Sequence, residues 1–380
     1  MSPSEDGALE DLPSYLESGS GPVDRQKVEV TSKGSAVLSV RDLRVTFKTD
    51  EGVLKAVDGL SYDLFPNEVL GIVGESGSGK SVSSMAVLGL LPKSATITGE
   101  IMFGGQNLLT LGEKESQRLR GAKISMVFQD ALAALNPVFT VGAQIVEAIT
   151  AHHPDLARAE AHTRGVDLID VVGIPNPKAR FDQYPHEFSG GMRQRAMIAM
   201  AIANDPDVLI ADEPTTALDV TIQAQVLDVL ERVQARANTA IVLITHDLGV
   251  VAGVADRVLV MYAGRPVETA DIDALFYESR HPYTRGLLAS LPRLDSGDRA
   301  ERLHRIRGQP PSLVFVPSGC AFNPRCDNAR LPSPCSTEVP ALRNVGTRHF
   351  SACHFAESLA EEDAAAATAA ASAEPARRNS

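Results

Sequence analysis

The sequence predicts an α/β fold: a parallel sheet with an antiparallel β layer, an inserted helical subdomain and a small cysteine-containing C-terminal extension. Three observations carry that prediction. The apolar run VLGIV, residues 69–73, leads into GESGSGKS and then into a polar-then-apolar stretch from Ser81. This is the strand–loop–helix context that the pattern G-x-x-x-x-G-K-[ST] requires. Two more buried-strand patterns, VLIAD at 208–212 and AIVLI at 240–244, each end in polar residues, as strands do where an open α/β sheet meets its ligand. After Leu291 the chain turns proline-rich and charged, and all four cysteines lie beyond that point.

Bulk properties narrow the field. A chain of 380 residues is longer than one typical domain. Its 44% hydrophobic content supplies a sizeable core, and a formal net charge of −12 argues against a nucleic-acid binder that works by neutralising phosphates. No run approaches the roughly 20 apolar residues that cross a bilayer. The acidic N-terminus has neither a basic n-region nor an apolar h-region, so it does not read as a secretory signal. The expectation is a cytosolic protein whose membrane role, if it has one, comes through a partner.

Residues 1–36, rich in Ser, Gly, Glu, Asp and Pro, read as a disordered leader. From Val37, VLSVRDLRVTF alternates apolar and polar residues as a half-buried strand does, and a second such run follows the turn at Asp50-Glu51-Gly52. Phe47, at the end of the first run, has two readings: a ring that stacks on an adenine base, or a plain core phenylalanine. In GESGSGKS the residues Gly74, Glu75, Ser76, Gly77, Ser78 and Gly79 wrap backbone N–H groups around an anion at a helix N-terminus. Lys80 then reaches the β- and γ-phosphates, and the Ser81 hydroxyl is a Mg2+ ligand.

ITGEIMFGGQNLL reads as another strand with a Gly-Gly turn, and AKISMVFQ at 122–129 as a buried strand that delivers Gln129 to the ligand edge of the sheet. A neutral amide there holds Mg2+ or orients an attacking water. Residues 131–187 look mainly helical, and FSGGMRQR opens a helical pattern that runs to about Ala203. Ser189, Gly190 and Gly191 directly before that helix make a second anion-binding terminus. One chain does not need two cradles for one nucleotide, so the economical reading is that this one serves a γ-phosphate bound by another subunit. In VLIADEP, Asp212 holds the Mg2+ shell and Glu213 polarises the attacking water. Asp219 closes Ala217-Leu218-Asp219 ahead of an amphipathic helix, and His246 emerges at the end of the next strand.

The ordered set GESGSGKS, Gln129, FSGGMRQR, VLIADEP, ALD and THD resembles the ATP-binding subunit of ABC transporters, over roughly residues 37–291. The finer features resemble the dipeptide/oligopeptide (and nickel) importer branch. They are Ala56-Val57-Asp58-Gly59, Leu135-Asn136-Pro137, Thr215-Thr216-Ala217-Leu218-Asp219-Val220-Thr221, Met261-Tyr262-Ala263-Gly264-Arg265 and His281-Pro282-Tyr283-Thr284.

The resemblance implies a P-loop ABC-type ATPase domain at 37–291, with its helical subdomain at about 130–203. It implies ATP contacts by residues 74–81, Val82, Phe47, Ser189, Gly190, Gly191 and Asp219. It gives Lys80, Gln129, Glu213 and His246 to catalysis, and Ser81, Gln129 and Asp212 to Mg2+. It also implies a head-to-tail sandwich with a second, related ATPase subunit, two permeases, and an extracytoplasmic solute-binding protein. The placement would be the cytoplasmic face of the membrane, and the work ATP-driven import of dipeptides or oligopeptides, or of another solute such as nickel. A soluble translation-control ATPase usually joins two cassettes, and only one phosphate loop occurs here. A DNA-repair ATPase would need a long coiled coil between loop and signature. A scaffold that only binds would not need an intact Glu213 and His246.

Residues 292–356 read as a linker and cysteine-rich extension, and 357–380 as a disordered tail. Cys320, Cys326, Cys335 and Cys353 admit three occupants. Disulfides are disfavoured in a reducing compartment. Zinc takes four thiolates, but its ligand pairs usually sit two to four residues apart, and none here does. An iron–sulfur cluster accepts varied spacing, and the family resemblance points the same way, to one [4Fe–4S] cluster.

Overall fold

The computed structural model describes residues 35–291, apart from 217, and residues 305–361. The expected leader as far as 34, the first part of the linker (292–304), Ala217 and the tail from 362 lie outside the described residues. In chain order the elements are β1 (Leu38–Thr49), β2 (Gly52–Leu64), β3 (Val69–Val73), α1 (Lys80–Val87), β4 (Ala95–Phe103), β5 (Gln106–Asn107), α2 (Glu113–Leu119) and β6 (Ile124–Val127). Five helices follow: α3 (Ala131–Ala134), α4 (Val141–Thr150), α5 (Arg158–Val171), α6 (Pro177–Phe181) and α7 (Gly190–Ala201). Then come β7 (Val208–Asp212), α8 (Val220–Ala237), β8 (Ala240–Thr245), α9 (Leu248–Val254), β9 (Arg257–Tyr262), β10 (Arg265–Asp271), α10 (Ile272–Glu278), α11 (Pro282–Ala289), β11 (Arg343–Gly346) and β12 (His349–Ser351).

Two sheets form. The smaller has strand order β2-β1-β4-β5 and is antiparallel; the larger runs β11-β12-β10-β9-β3-β8-β7-β6. Within it β9, β3, β8, β7 and β6 are parallel. The period-2 alternation of a strand sorts its side chains to opposite faces. Leu70, Ile72, Ile210, Val242 and Ile244 turn towards one core, shared with Leu38, Val40, Val57 and Ile101 of the antiparallel layer. Val69, Val73, Leu209, Ala211, Ile241 and Leu243 turn towards the other, shared with Ile145, Ile169, Ile198 and Val226 of the helices. The parallel strands are therefore buried on both faces, which is why they read as continuous apolar runs.

The sequence boundaries shift in three places. The strand at 122–129 contracts to Ile124–Val127, and Gln129 lies past its end. The helix after the phosphate loop ends at Val87, and Leu88 caps it. The tail does not begin at 357: Leu359 is buried and Glu357 pairs with Arg343, so the packed chain reaches at least 361.

The cysteine extension is not a separate appendage. Its hairpin β11–β12 pairs with β10 through Glu268–Ser351 and Thr269–Phe350, which carries the large sheet onward. At that seam the fully buried Glu268 accepts N–H bonds from Arg280 and His281, and its carboxylate lies 2.7 Å from His349 Nε2. His281 is buried too, and its Nδ1 accepts the Tyr283 N–H at 3.1 Å. Burial pushes the His281 pKa down to about 4, against an upward pull from Glu268, so the ring is neutral and free to accept.

Candidate functional site: a phosphate loop facing a held carboxylate

The loop at 74–81 needs its glycines for shape. Gly79 caps α1 in the left-handed region, φ 100°. A β-carbon there would meet the Ala56 carbonyl oxygen at 2.1 Å, and one on Gly74 would meet the Met261 oxygen at 2.2 Å. No side chain fits either place. Lys80 is buried, and its Nζ donates to the Gly74 and Glu75 carbonyls at 2.6 and 3.1 Å. Burial lowers its pKa, while Glu213, Asp212 and Glu75 pull it back up. A cation held inside the loop by backbone oxygens alone is poised to exchange them for phosphate oxygens. The Ser78 hydroxyl is buried and has no hydrogen-bond partner among the described residues.

The Ser81 hydroxyl donates to Asp212 Oδ1 at 3.0 Å, so α1 and β7 bring the two expected Mg2+ ligands into contact. Burial raises the Asp212 pKa, and the Ser81 bond opposes the shift. Ser81, Asp212 and Gln129 line one cavity of about 630 Å³. A hydroxyl, a carboxylate and an amide oxygen are the hard donors that Mg2+ takes, so these residues fit the ion. Methionines 85, 126, 197 and 200 line the rest of the cavity.

Three groups converge on one oxygen of Glu213. Its Oε2 accepts from Gln129 Nε2 at 2.9 Å and from Thr216 Oγ1 at 2.8 Å, and His246 Nδ1 stands 3.4 Å away. Glu213 itself has φ 48°, outside the usual range for a residue with a β-carbon, and its N–H is bonded to the Ile244 oxygen at 2.8 Å. Strain of this kind persists where the surroundings over-determine it, and it concentrates at functional sites. Gln129, Glu213 and His246 come from β6, β7 and β8, adjacent parallel strands of one sheet edge. Thr216 was visible in the sequence only as part of TTALDVT; its place three residues past Glu213, in the turn that closes back on the carboxylate, is the signal for it.

The signature residues sit apart. Ser189 caps α7 by accepting the Met192 N–H at 3.3 Å, and Asp219 caps α8 by accepting from Ile222 at 3.0 Å. A β-carbon on Gly191 would strike the Ile222 side chain at 2.5 Å, so α7 and α8 meet closely there. Among the described residues no hydrogen bond ties 189–191 to the phosphate loop. Val82 is half-buried on α1 and packs on the core of the antiparallel layer, as does Phe47, the site of the two readings given above.

Residues 57–216 match the family described as ABC transporter, and residues 267–332 match the oligopeptide/dipeptide transporter C-terminal region. The chain is 47% identical to the oligopeptide transport ATP-binding protein OppD of Escherichia coli, over 90% of this chain and 97% of that one. It is 51% identical to the OppD of Mycobacterium tuberculosis over 87% of its own length, but spans only 54% of that longer relative. A solved dimeric ATP-binding cassette bound to ADP and Pi shares the fold, with a TM-score of 0.56 at 24% identity, over 62% of this chain and 98% of that one. The chain belongs to the ATP-binding proteins of the ABC transporters, in the branch that bears the oligopeptide/dipeptide C-terminal region.

Proposed function

We propose that this chain is the ATP-hydrolysing subunit of an importer, coupling ATP binding and hydrolysis to uptake of dipeptides or oligopeptides through partner permeases. The observation that carries the reading is the Glu213 carboxylate, fixed by Gln129, Thr216 and His246 beside the Ser81–Asp212 pair. Glu213 takes a proton from a water as that water's oxygen bonds to the γ-phosphorus. The bond from the γ-phosphorus to the β–γ bridging oxygen breaks, and ADP and phosphate leave. Lys80 meets the charge that gathers on the transferred group. Gln129 and Thr216 hold the carboxylate by hydrogen bonds, and His246, 3.4 Å from that carboxylate, is assigned to contact the departing phosphate. Ser81, Asp212 and Gln129 would hold a Mg2+ ion, which would supply charge neutralisation to the nucleotide's phosphates.

Ser189, Gly190, Gly191 and Asp219 are assigned to the ATP of a second ATPase subunit, a related chain in a heterodimer. Leu132, Val138 and Phe139 are large apolar side chains exposed on the helical subdomain, a surface suited to permease contact. No helix among the described residues is long and apolar enough to cross a membrane; the peripheral placement on the cytoplasmic face rests on the importer reading. The test is transport by the assembled complex in vesicles. Peptide should accumulate when ATP and the peptide-loaded binding protein are both supplied. Accumulation of nickel without peptide would move the assignment to the nickel side of the branch.

For Cys320, Cys326, Cys335 and Cys353 we propose a [4Fe–4S] cluster. All four line one cavity, together with His281, Phe322 and Phe355. Burial first, and neighbouring thiols after it, push Cys326 up to about 12 and Cys353 up to about 11. Such thiols stay neutral until a metal displaces their protons. Among the described residues no group of three or more His, Cys, Asp or Glu is arranged to hold a metal ion, so the reading rests on the shared cavity and on the cysteine spacing. Backbone N–H groups of Arg330 and Phe355 already point at the Cys335 and Cys353 sulfurs, each at 3.4 Å, contacts that tune such clusters. Protein purified without oxygen should be brown, with iron and acid-labile sulfide in near-equal amounts, and Cys326→Ser should lose both. A colourless protein with one tightly held zinc would overturn the cluster.

A further inference from the structure

The residue next to Cys326 reaches into the nucleotide site. Arg325 lies in the Asn323–Arg325 turn of the cysteine extension, and its side chain is only 5% exposed. Its two terminal nitrogens form a fork on Glu75, Nη1 to Oε2 at 2.6 Å and Nη2 to Oε1 at 2.9 Å. Glu75 is the second residue of the phosphate loop.

The rest of the arginine is held as firmly. Its Nε donates to the Arg307 oxygen at 2.9 Å, and Nη1 also lies 3.3 Å from the Tyr262 hydroxyl. The guanidinium stands 5.7 Å from the Tyr262 ring centre and 5.9 Å from that of Phe322. Arg307 in turn donates to the Cys326 carbonyl at 3.0 Å.

Glu75 is gripped from its backbone as well. Its N–H donates to the Tyr283 hydroxyl at 2.9 Å, and its carbonyl receives Lys80 Nζ. Tyr262, Tyr283 and Phe322 pack ring to ring, with centres 4.7 to 5.3 Å apart. A continuous set of contacts thus runs from the cysteine cavity, through Arg325, to the loop that cradles Lys80.

We infer that Arg325 is a positioning residue for the phosphate loop, and that the Arg325–Glu75 pair links the cysteine extension thermodynamically to nucleotide binding. The inference rests on the ATP-binding reading of residues 74–81. The physical reason is the fork. A bidentate guanidinium–carboxylate pair fixes direction as well as distance, and the Glu75 side chain, 26% exposed, can turn to solvent once its partner is gone. Loss of Arg325 frees the Glu75 side chain, and the adjoining N–H groups and Lys80 lose their fixed geometry. Linkage is reciprocal, so nucleotide at the loop also steadies the extension.

Two measurements on the purified full chain test this: titration with a fluorescent ATP analogue and Mg2+, and amide hydrogen exchange of the extension with and without ATP. Arg325→Gln should weaken nucleotide binding by about tenfold, the change that follows when one charge-assisted contact is lost. Arg325→Lys, which keeps the charge without the fork, should fall between. Glu75→Gln should match Arg325→Gln, and the double variant should be no weaker than the weaker single, because the two act as one unit. ATP should slow exchange around residues 318–336 in the wild type and not in either single variant.

Nucleotide affinity within twofold of wild type for a folded Arg325→Gln chain would overturn the inference, as would losses that simply add in the double variant. If Arg325→Gln does not fold, Glu75→Gln poses the same question from the loop side, and ATP-dependent slowing of exchange retained there overturns the link. Lys80→Ala separates the two levels. Unweakened ATP binding by that variant defeats the nucleotide reading itself, and the link with it; weakened binding there beside intact binding in Arg325→Gln defeats the link alone.

Discussion

Glu213→Gln should lower ATP hydrolysis by the assembled complex about 10²- to 10⁴-fold, the contribution of a positioned general base, while ATP still binds. The amide keeps the shape of the carboxylate and still accepts a hydrogen bond from Gln129 or Thr216, so the site stays assembled but takes no proton from water. Phosphate release under steady turnover measures the loss, and retained binding of a fluorescent ATP analogue shows that the site survives. The variant should also hold the closed, ATP-bound pair of subunits long enough to isolate. Hydrolysis near the wild-type rate would remove Glu213 from its role.

Ser189→Arg is the second large effect. In the free chain Ser189 does little beyond capping α7, a contribution of about 1 kcal/mol. The body of that helix is anchored by buried Ala196, Met197, Ile198 and Ala199. The isolated variant should therefore fold and bind ATP. Mixed with a wild-type partner, it should fail to form the ATP-dependent dimer, because a long cation stands where a small hydroxyl is to meet the partner's phosphate. Size-exclusion chromatography with ATP reads the outcome. Normal dimers with normal hydrolysis would mean that the signature does not act on a partner's nucleotide.

How much of this was legible before the fold was known depends on the range of the physics involved. The phosphate loop and the apolar strands VLGIV, VLIAD and AIVLIT announce themselves because each carries its own burial pattern and its own terminating polar residue. Their order along the chain delivers Ser81, Asp212, Glu213 and His246 to one edge. Thr216 was harder, since its role is a single hydroxyl bond across a turn. Strands β11 and β12 were illegible: RNVG and HFS are four and three residues long, too short for alternation to show, and only the exposed edge of β10 makes strands of them. Arg325 was illegible for the opposite reason. Its partner Glu75 stands 250 residues away, and no local pattern speaks across that distance.

The hairpin on β10 makes this cassette indivisible in a way that its domain boundary conceals. A chain shortened to end near 291 would bare the backbone of β10 as a raw sheet edge, an open template for another strand. It would also take His349 from the Glu268 carboxylate, leaving it the Arg280 and His281 N–H groups. A chain cut there should therefore be less stable and quicker to aggregate than the full chain, which light scattering at matched concentration would show. A minimal version would need a neutral residue in place of Glu268 and a charged or proline-bearing edge on β10 before it could stay in solution.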